Sequence, residues 1–194
     1  MPTSRLLVPA LALALLGAPA AAVAQDDATP DAASERQSEP AAAAEPAIGS
    51  AVSYVDARGD EIGTVTVVEL TDPFEDFSDT FEVEEGSRFV AVEVTISGSE
   101  LADNAETPLE AAASDFGLQT SDGFFYSPAY PSRQLSSADV PDLQTIAVDP
   151  GTEVTGLVFF QVPEDAEVAR LFYTPESGRL ILAADLHDAA EDNG

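Results

Sequence analysis

The sequence predicts an all-β fold, an antiparallel sandwich, on three observations. Apolar residues recur with a period of two, the apolar runs are short and separated by turn residues, and only one stretch is rich in helix formers. Phe89 to Ile96 places Val90, Val92, Val94 and Ile96 on one face and Phe89, Ala91, Glu93 and Thr95 on the other. Val154 to Val162 does the same, with Val154, Val158, Phe160 and Val162 opposite Thr155, Leu157, Phe159 and Gln161.

Taken in order, the further β runs are Val52 to Val55, Thr64 to Leu70, Phe116 to Thr120, Phe124 to Tyr126, Gln144 to Val148, Val168 to Thr174 and Arg179 to Ala183. The Val67-Val68 doublet breaks the alternation of its run, as a bulge does. Arg58-Gly59-Asp60 and Ser177-Gly178 mark reversals. Asp122-Gly123 predicts a two-residue hairpin turn, and Asp149-Pro150-Gly151-Thr152 a type II turn with Pro and Gly at its centre. Leu101 to Ala113 holds the helix formers, but Pro108 divides it, so a loop with at most one turn is expected there. About seven to nine short strands result. A sandwich is the natural assembly, with a small barrel as the alternative.

The rest of the chain is not core. Arg5, the apolar run Leu6 to Leu16 and the small pair Ala22 and Ala24 have the pattern of a secretory signal peptide, residues 1–24, cleaved before Gln25. The segment 25–47 is Ala, Pro and acid without an aliphatic or aromatic anchor, and reads as a disordered tether. The folded domain is expected over 48–187, followed by an acidic tail at 188–194.

Charge excludes several functions. The chain has 36 Asp and Glu against 7 Lys and Arg, a net charge of −29. Phosphate backbones are gripped by Lys and Arg, so nucleic acid is excluded as a partner, and an anionic membrane surface is disfavoured on the same ground. Such charge keeps an exported domain soluble at a cost in self-repulsion. With no Cys, there are no disulfides, thiolate metal sites or thiol nucleophiles. The one Met, Met1, leaves nothing for a Met/His copper site.

Candidate sites are few. A catalytic triad needs an imidazole held rigidly between nucleophile and carboxylate. The one His, His187, stands next to the acidic tail, and no G-x-S-x-G is present. Paired carboxylates could serve a small hydrolase, but the sequence selects no particular pair. The loop Asp72 to Thr80 concentrates oxygen ligands suited to Ca²⁺. It lacks the EF-hand pattern, and the simpler expectation is a solvated loop with Phe74 or Phe77 tucked into the core. Arg58-Gly59-Asp60 spells an adhesion tripeptide, although Gly59 has a plain duty in the reversal. Phe124, Phe125, Tyr126 and Tyr130 could stack on a ligand; the competing expectation is that alternate members fill the core while the others cover an edge.

One pattern departs from the polar-outside rule of sandwiches. Phe89, Leu157, Phe159 and Phe172 fall opposite the core faces of their strands. Either they form one apolar patch, if those strands share a sheet, or a loop or the tether covers them.

The run Asp149 to Val162, followed by Leu171-Phe172-Tyr173-Thr174-Pro175, resembles the closing half of a bacterial family of unknown function, related to a mycobacterial immunogenic extracellular protein. Gly86 to Val94 is similar to its central strand, and Phe116 to Gly123 to the hairpin after it. The resemblance covers most of Ile48 to Ala183 and implies an immunoglobulin-like sandwich in a secreted or lipid-anchored protein. No cysteine is present for a lipid anchor, so release is implied. The family carries no catalytic residues to transfer.

The sequence thus predicts an exported, non-enzymatic, immunoglobulin-like module that binds a protein or envelope component. It assigns no catalytic, cofactor-binding or metal residue. A Ca²⁺-dependent structural module and a carboxylate hydrolase are the alternatives.

Overall fold

The computed structural model describes residues 45–56, 58–100, 109–130, 134–136, 138–175 and 178–187. The expected signal peptide, most of the tether and the acidic tail lie outside them, and so does most of the helix-former stretch.

The strands are β1 (Ala51–Val55), β2 (Glu61–Thr71), β3 (Ser87–Gly98), β4 (Leu109–Ala111), β5 (Phe116–Thr120), β6 (Phe125–Tyr126), β7 (Ile146–Val148), β8 (Glu153–Pro163), β9 (Val168–Tyr173) and β10 (Ile181–Asp185), with one 3-10 turn at Ala113–Asp115. They pair into two four-stranded antiparallel sheets, ordered β1-β2-β3-β8 and β10-β9-β5-β6, with β4 and β7 as a separate ribbon. The all-β sandwich is therefore as the periodicity predicts. The residues of the alternation fill its centre: Val90, Val92, Val94 and Ile96 of β3 and Val158, Phe160 and Val162 of β8 are fully buried against Leu118, Leu171 and Tyr173 of the second sheet.

The bulge sits where the doublet puts it, with the β2–β3 register shifting between Val67 and Glu69. The type II turn forms as well: Gly151 has φ +74° and the Thr152 amide donates to the Asp149 carbonyl at 3.0 Å. Two expectations are corrected. Between the bonded residues Thr120 and Phe124 the β5–β6 turn has three residues, Ser121 to Gly123, not two. Thr120 bonds Phe124 across it, and Gly123 takes the positive φ that a three-residue loop demands at its last position. The segment read wholly as loop contains β4, because Leu109 and Ala111 find ladder partners in Val148 and Ile146.

The N-terminal approach is anchored earlier than its composition implies. The Asp185 amide donates to the Pro46 carbonyl, Ala47 bridges Asp185, and Gly49 donates to Val67 of β2. Residues 45–50 thereby stitch β10 of one sheet to β2 of the other.

Between the sheets Tyr54 and Tyr173 meet edge to face at 5.3 Å. Burial pushes the Tyr54 phenol up, with the Tyr173 hydroxyl working against it. Gly63 makes room for this ring, since a Cβ there would collide with the Tyr54 hydroxyl and the Ser97 carbonyl oxygen.

Candidate functional site

The two sheets differ on their outer faces. On the first, residues 72–86 and the described part of 129–143 fold back over β3 and β8. Their side chains complete a second core: Phe74 and Phe81 from one segment and Leu135 from the other pack with Phe89, Ala91, Leu157 and Phe159. Phe74 lies 5.1 Å from Phe159, and Phe77 stands edge-on to Phe89 at 5.0 Å. The covering segments are bonded to each other, Ser78 donating to the Leu135 carbonyl at 2.9 Å, and to β8, through Ala129 to Phe159 and Leu143 to Leu157.

The single apolar patch is therefore corrected. Phe89 is 1% exposed and Phe159 4%, with Leu157 also buried. A loop covers them because Phe89, Ala91, Leu157 and Phe159 group on neighbouring strands and bury their apolar surface only beneath a second layer. Phe172 belongs to the other sheet altogether, on β9.

The Asp72 to Thr80 loop is part of that cover. Both Phe74 and Phe77 are turned inward, and Asp72 is engaged by Arg88 at 2.5 Å and 2.8 Å. Among the described residues, no three acidic or imidazole side chains converge as a metal ion would require. Residues 134–136 of the cover are held by Asp142, whose buried carboxylate accepts from the Leu135 amide, the Ser136 amide at 3.2 Å and Gln134 Nε2 at 3.0 Å. Burial pushes the Asp142 carboxyl up, against the pull of those amides.

Arg58-Gly59-Asp60 lies on the β1–β2 reversal, where Asp56 gathers the amides of Arg58, Gly59 and Asp60 on one oxygen. Arg58 Nε donates to Asp56 at 2.9 Å and lies 3.7 Å from Asp60. The tripeptide's charges are thus drawn toward one another. His187 stands 3.8 Å from Glu167, its amide bonded to Asp185.

The second sheet's outer face carries the exposed aromatics. Register places Phe125, Gln119, Arg170 and Asp185 in one outward row across β6, β5, β9 and β10, and Gly117, Phe172 and Leu182 in the next. Phe125 leans across the gap above Gly117 and packs on Phe172, ring centroids 5.1 Å apart and planes tilted by 40°. A Cβ at Gly117 would come within 3.1 Å of the Phe125 ring, so the glycine is what lets the ring lie down. Phe125 is 51% exposed and its neighbour Phe124 64%. Next to Asp185 in the first row, Arg170 pairs with both oxygens of Glu45, at 3.1 Å and 3.2 Å.

The predicted aromatic cluster thus divides. Phe124 and Phe125 are on the surface, whereas Tyr130 packs on Phe81 at 4.9 Å beside the second core. Sequence reasoning missed the partnership of Phe125 with Phe172. Gly117 inside a strand was the available signal, since such a glycine often marks a close approach.

The family model described as "Domain of unknown function (DUF4352)" matches residues 62–179. The chain belongs to the DUF4352 family. The matched span runs from β2 through the turn before β10 and so includes both covering segments and the Phe125–Phe172 pair. The DUF4352 domain has the fold of a secreted protein from Mycobacterium tuberculosis, MPT63: 16% identity, TM-score 0.52, over 75% of this chain and 99% of that one. The yjhA protein from Bacillus subtilis is also similar, at 14% identity and TM-score 0.47, over 71% of this chain and 96% of that one. No curated protein matches the sequence significantly.

Proposed function

We propose that this DUF4352 domain is an exported, non-enzymatic binding module of the bacterial envelope or extracellular space, and that its contact surface is the outer face of the second sheet. The observation that carries the reading is the asymmetry between the two outer faces. Phe89 and Phe159 are sealed beneath two covering segments, whereas Phe125 lies open over Gly117. Exposed apolar residues grouped on one face mark interaction surfaces more often than scattered ones do.

Export is supported by the leader pattern of residues 1–24 and by the secreted nature of the similar mycobacterial protein. The non-enzymatic reading is supported by the setting of His187, the one imidazole of the sequence, which is half-exposed and stands 3.8 Å from Glu167. A triad needs the imidazole held between a nucleophile and a carboxylate.

Two measurements test the proposal. Intact mass of the protein recovered from culture medium should give a chain beginning at Gln25; a chain retaining Met1 in the membrane fraction overturns export. An uncharged hydrophobic dye such as Nile red should bind the wild type and lose more than half its signal on Phe125→Ser with Phe172→Ser. An unchanged signal removes this face from consideration.

A further inference from the structure

We infer that the open face of the second sheet takes a basic protein segment, one that presents Arg or Lys beside apolar side chains. The inference rests on the contact surface proposed above and adds the chemistry of its partner. Three observations converge on it.

The face is apolar along a diagonal and acidic around it. Phe172 and Leu182 are register neighbours on β9 and β10, and Phe125 of β6 reaches Phe172 over Gly117 of β5. Asp185 ends the row that Phe125 begins, and Glu45 stands beside it on Arg170. At the hairpin end, Asp122 lies in the loop next to Phe124, and the Ser121 amide donates to the Glu167 carbonyl at 2.8 Å, which brings Glu167 alongside. Arg170 pairs with Glu45 and His187 stands 3.8 Å from Glu167, yet Glu45, Asp122, Glu167 and Asp185 together outnumber these cationic groups, so negative charge is left in excess at the ends of this face.

Exposed phenylalanine faces themselves favour cations. The ring quadrupole attracts a guanidinium or ammonium seated over it, and more strongly as water is excluded. A partner that brings both an apolar anchor and a cation would use the ring and the surrounding carboxylates together.

The whole-chain field selects in the same direction. At −29, a second copy, an anionic lipid surface or an acidic partner is repelled on approach, while a cationic one is steered in. Charge of that size also fails to distinguish one site from another on the domain, so the test must separate general attraction from binding at this face.

The experiment uses the chain from Gln25 onward and three fluorescent synthetic peptides of equal length, alternating Leu with Arg, Leu with Glu, and Ser with Arg. Fluorescence anisotropy reads the affinity. The Leu/Arg peptide should bind about tenfold or more tighter than either control. It should lose about tenfold on Phe125→Ser with Phe172→Ser, as removal of buried aromatic anchors does. It should also weaken with added NaCl. Glu167→Arg, which leaves the rings intact, should weaken the same peptide several-fold.

If the Leu/Glu peptide binds as tightly and also needs both phenylalanines, the contact surface stands and the basic partner is overturned. If the Leu/Arg peptide binds the phenylalanine variant undiminished, attraction is general, and both the surface and its partner are overturned. Concentration-dependent dimerisation abolished by Phe125→Ser would give the face to a second copy and overturn the inference. Thermal melts of the variants, expected within a few degrees of the wild type, confirm that losses arise at the surface.

Discussion

Arg88, near the start of β3, holds Asp72, at the start of the covering loop, in a two-pronged ion pair: Nε to Oδ1 at 2.5 Å and a terminal nitrogen to Oδ2 at 2.8 Å. The same guanidinium donates to the carbonyls of Pro163, Glu164 and Ala166. One side chain therefore fixes the covering loop, the end of β8 and the turn into β9. The Asp72 hydrogen bond also pushes the Arg88 guanidinium up, although burial opposes it. Arg88→Met should destabilise by about 3 kcal/mol, the usual scale for breaking a largely buried pair and leaving its partner behind. Urea unfolding measures it. A loss below about 1 kcal/mol would show the pair to behave as a solvent-screened surface contact.

Gly156 of β8 predicts a second effect, through space rather than charge. It faces inward opposite Val94, and a Cβ there would stand 2.8 Å from the Leu143 Cα and 2.9 Å from its amide nitrogen. Backbone cannot yield as a flexible side chain does. Gly156→Ala should cost about 1–3 kcal/mol, as overpacking of a filled core does, whereas Gly86→Ala meets open space and pays only for its φ of +78°. Paired thermal melts compare the two. Equal effects would mean that the Leu143 segment moves aside freely.

Acidity should act in two opposite windows. The Asp142 carboxyl is pushed up by burial, so its folded pKa lies above its unfolded value near 3.9. Its ionised form is penalised in the fold at neutral pH, and that penalty lifts as pH falls through the folded pKa. Protonation of surface carboxylates relieves self-repulsion in the same direction. Asp56 behaves the other way. Hydrogen bonding to Arg58 is the largest cause of its lowered pKa, so its contribution is present above the unfolded value and is lost as pH drops below about 4. Asp185 is also held low: burial raises it, but the His187 amide, Glu45 and nearby positive charges outweigh that. The melting temperature should therefore rise from pH 7 toward about 4.5 and fall below about 3.5. Asp142→Asn should rise less over the upper window. A wild type that loses stability steadily from pH 7 to pH 5 would contradict this.

The strands were legible wherever alternation is strict. β3 and β8 read directly because Val90 to Ile96 and Val158 to Val162 put every second residue in the core, and the Val67-Val68 irregularity gave its bulge away. β4 was hidden because three residues cannot display a period, and its pairing with β7 is decided by a distant ladder. At the site, Phe172 was readable as outward from Leu171 and Tyr173 alone. Its partner was not, since nothing local relates Phe125 on β6 to β9. The fate of Phe89, Leu157 and Phe159 was beyond reach for a different reason. Alternation tells which side of a sheet a residue takes, but not whether chain from residues 72–86 and the described part of 129–143 will cover that side.

That distinction gives the sharpest test of the arrangement. Phe89, Phe159 and Phe125 are each on the outward side of a strand, and composition alone treats them alike. Phe89 sits among Phe77, Tyr130 and Leu135, and Phe159 against Phe74. Truncating either leaves a hole beneath segments that cannot collapse without breaking the Ser78–Leu135 and Ala129–Phe159 backbone bonds. Phe89→Ser and Phe159→Ser should therefore each cost about 3–5 kcal/mol, the range for emptying a buried aromatic position. Phe125→Ser uncovers Gly117 and removes one tilted ring contact with Phe172, and its ring is already half in water. It should cost about 1 kcal/mol or less, within the range of an aromatic pair at a surface. Chemical denaturation of the three variants side by side measures the order. If Phe125→Ser proves as damaging as Phe89→Ser, the second sheet has a cover of its own and the open face does not exist.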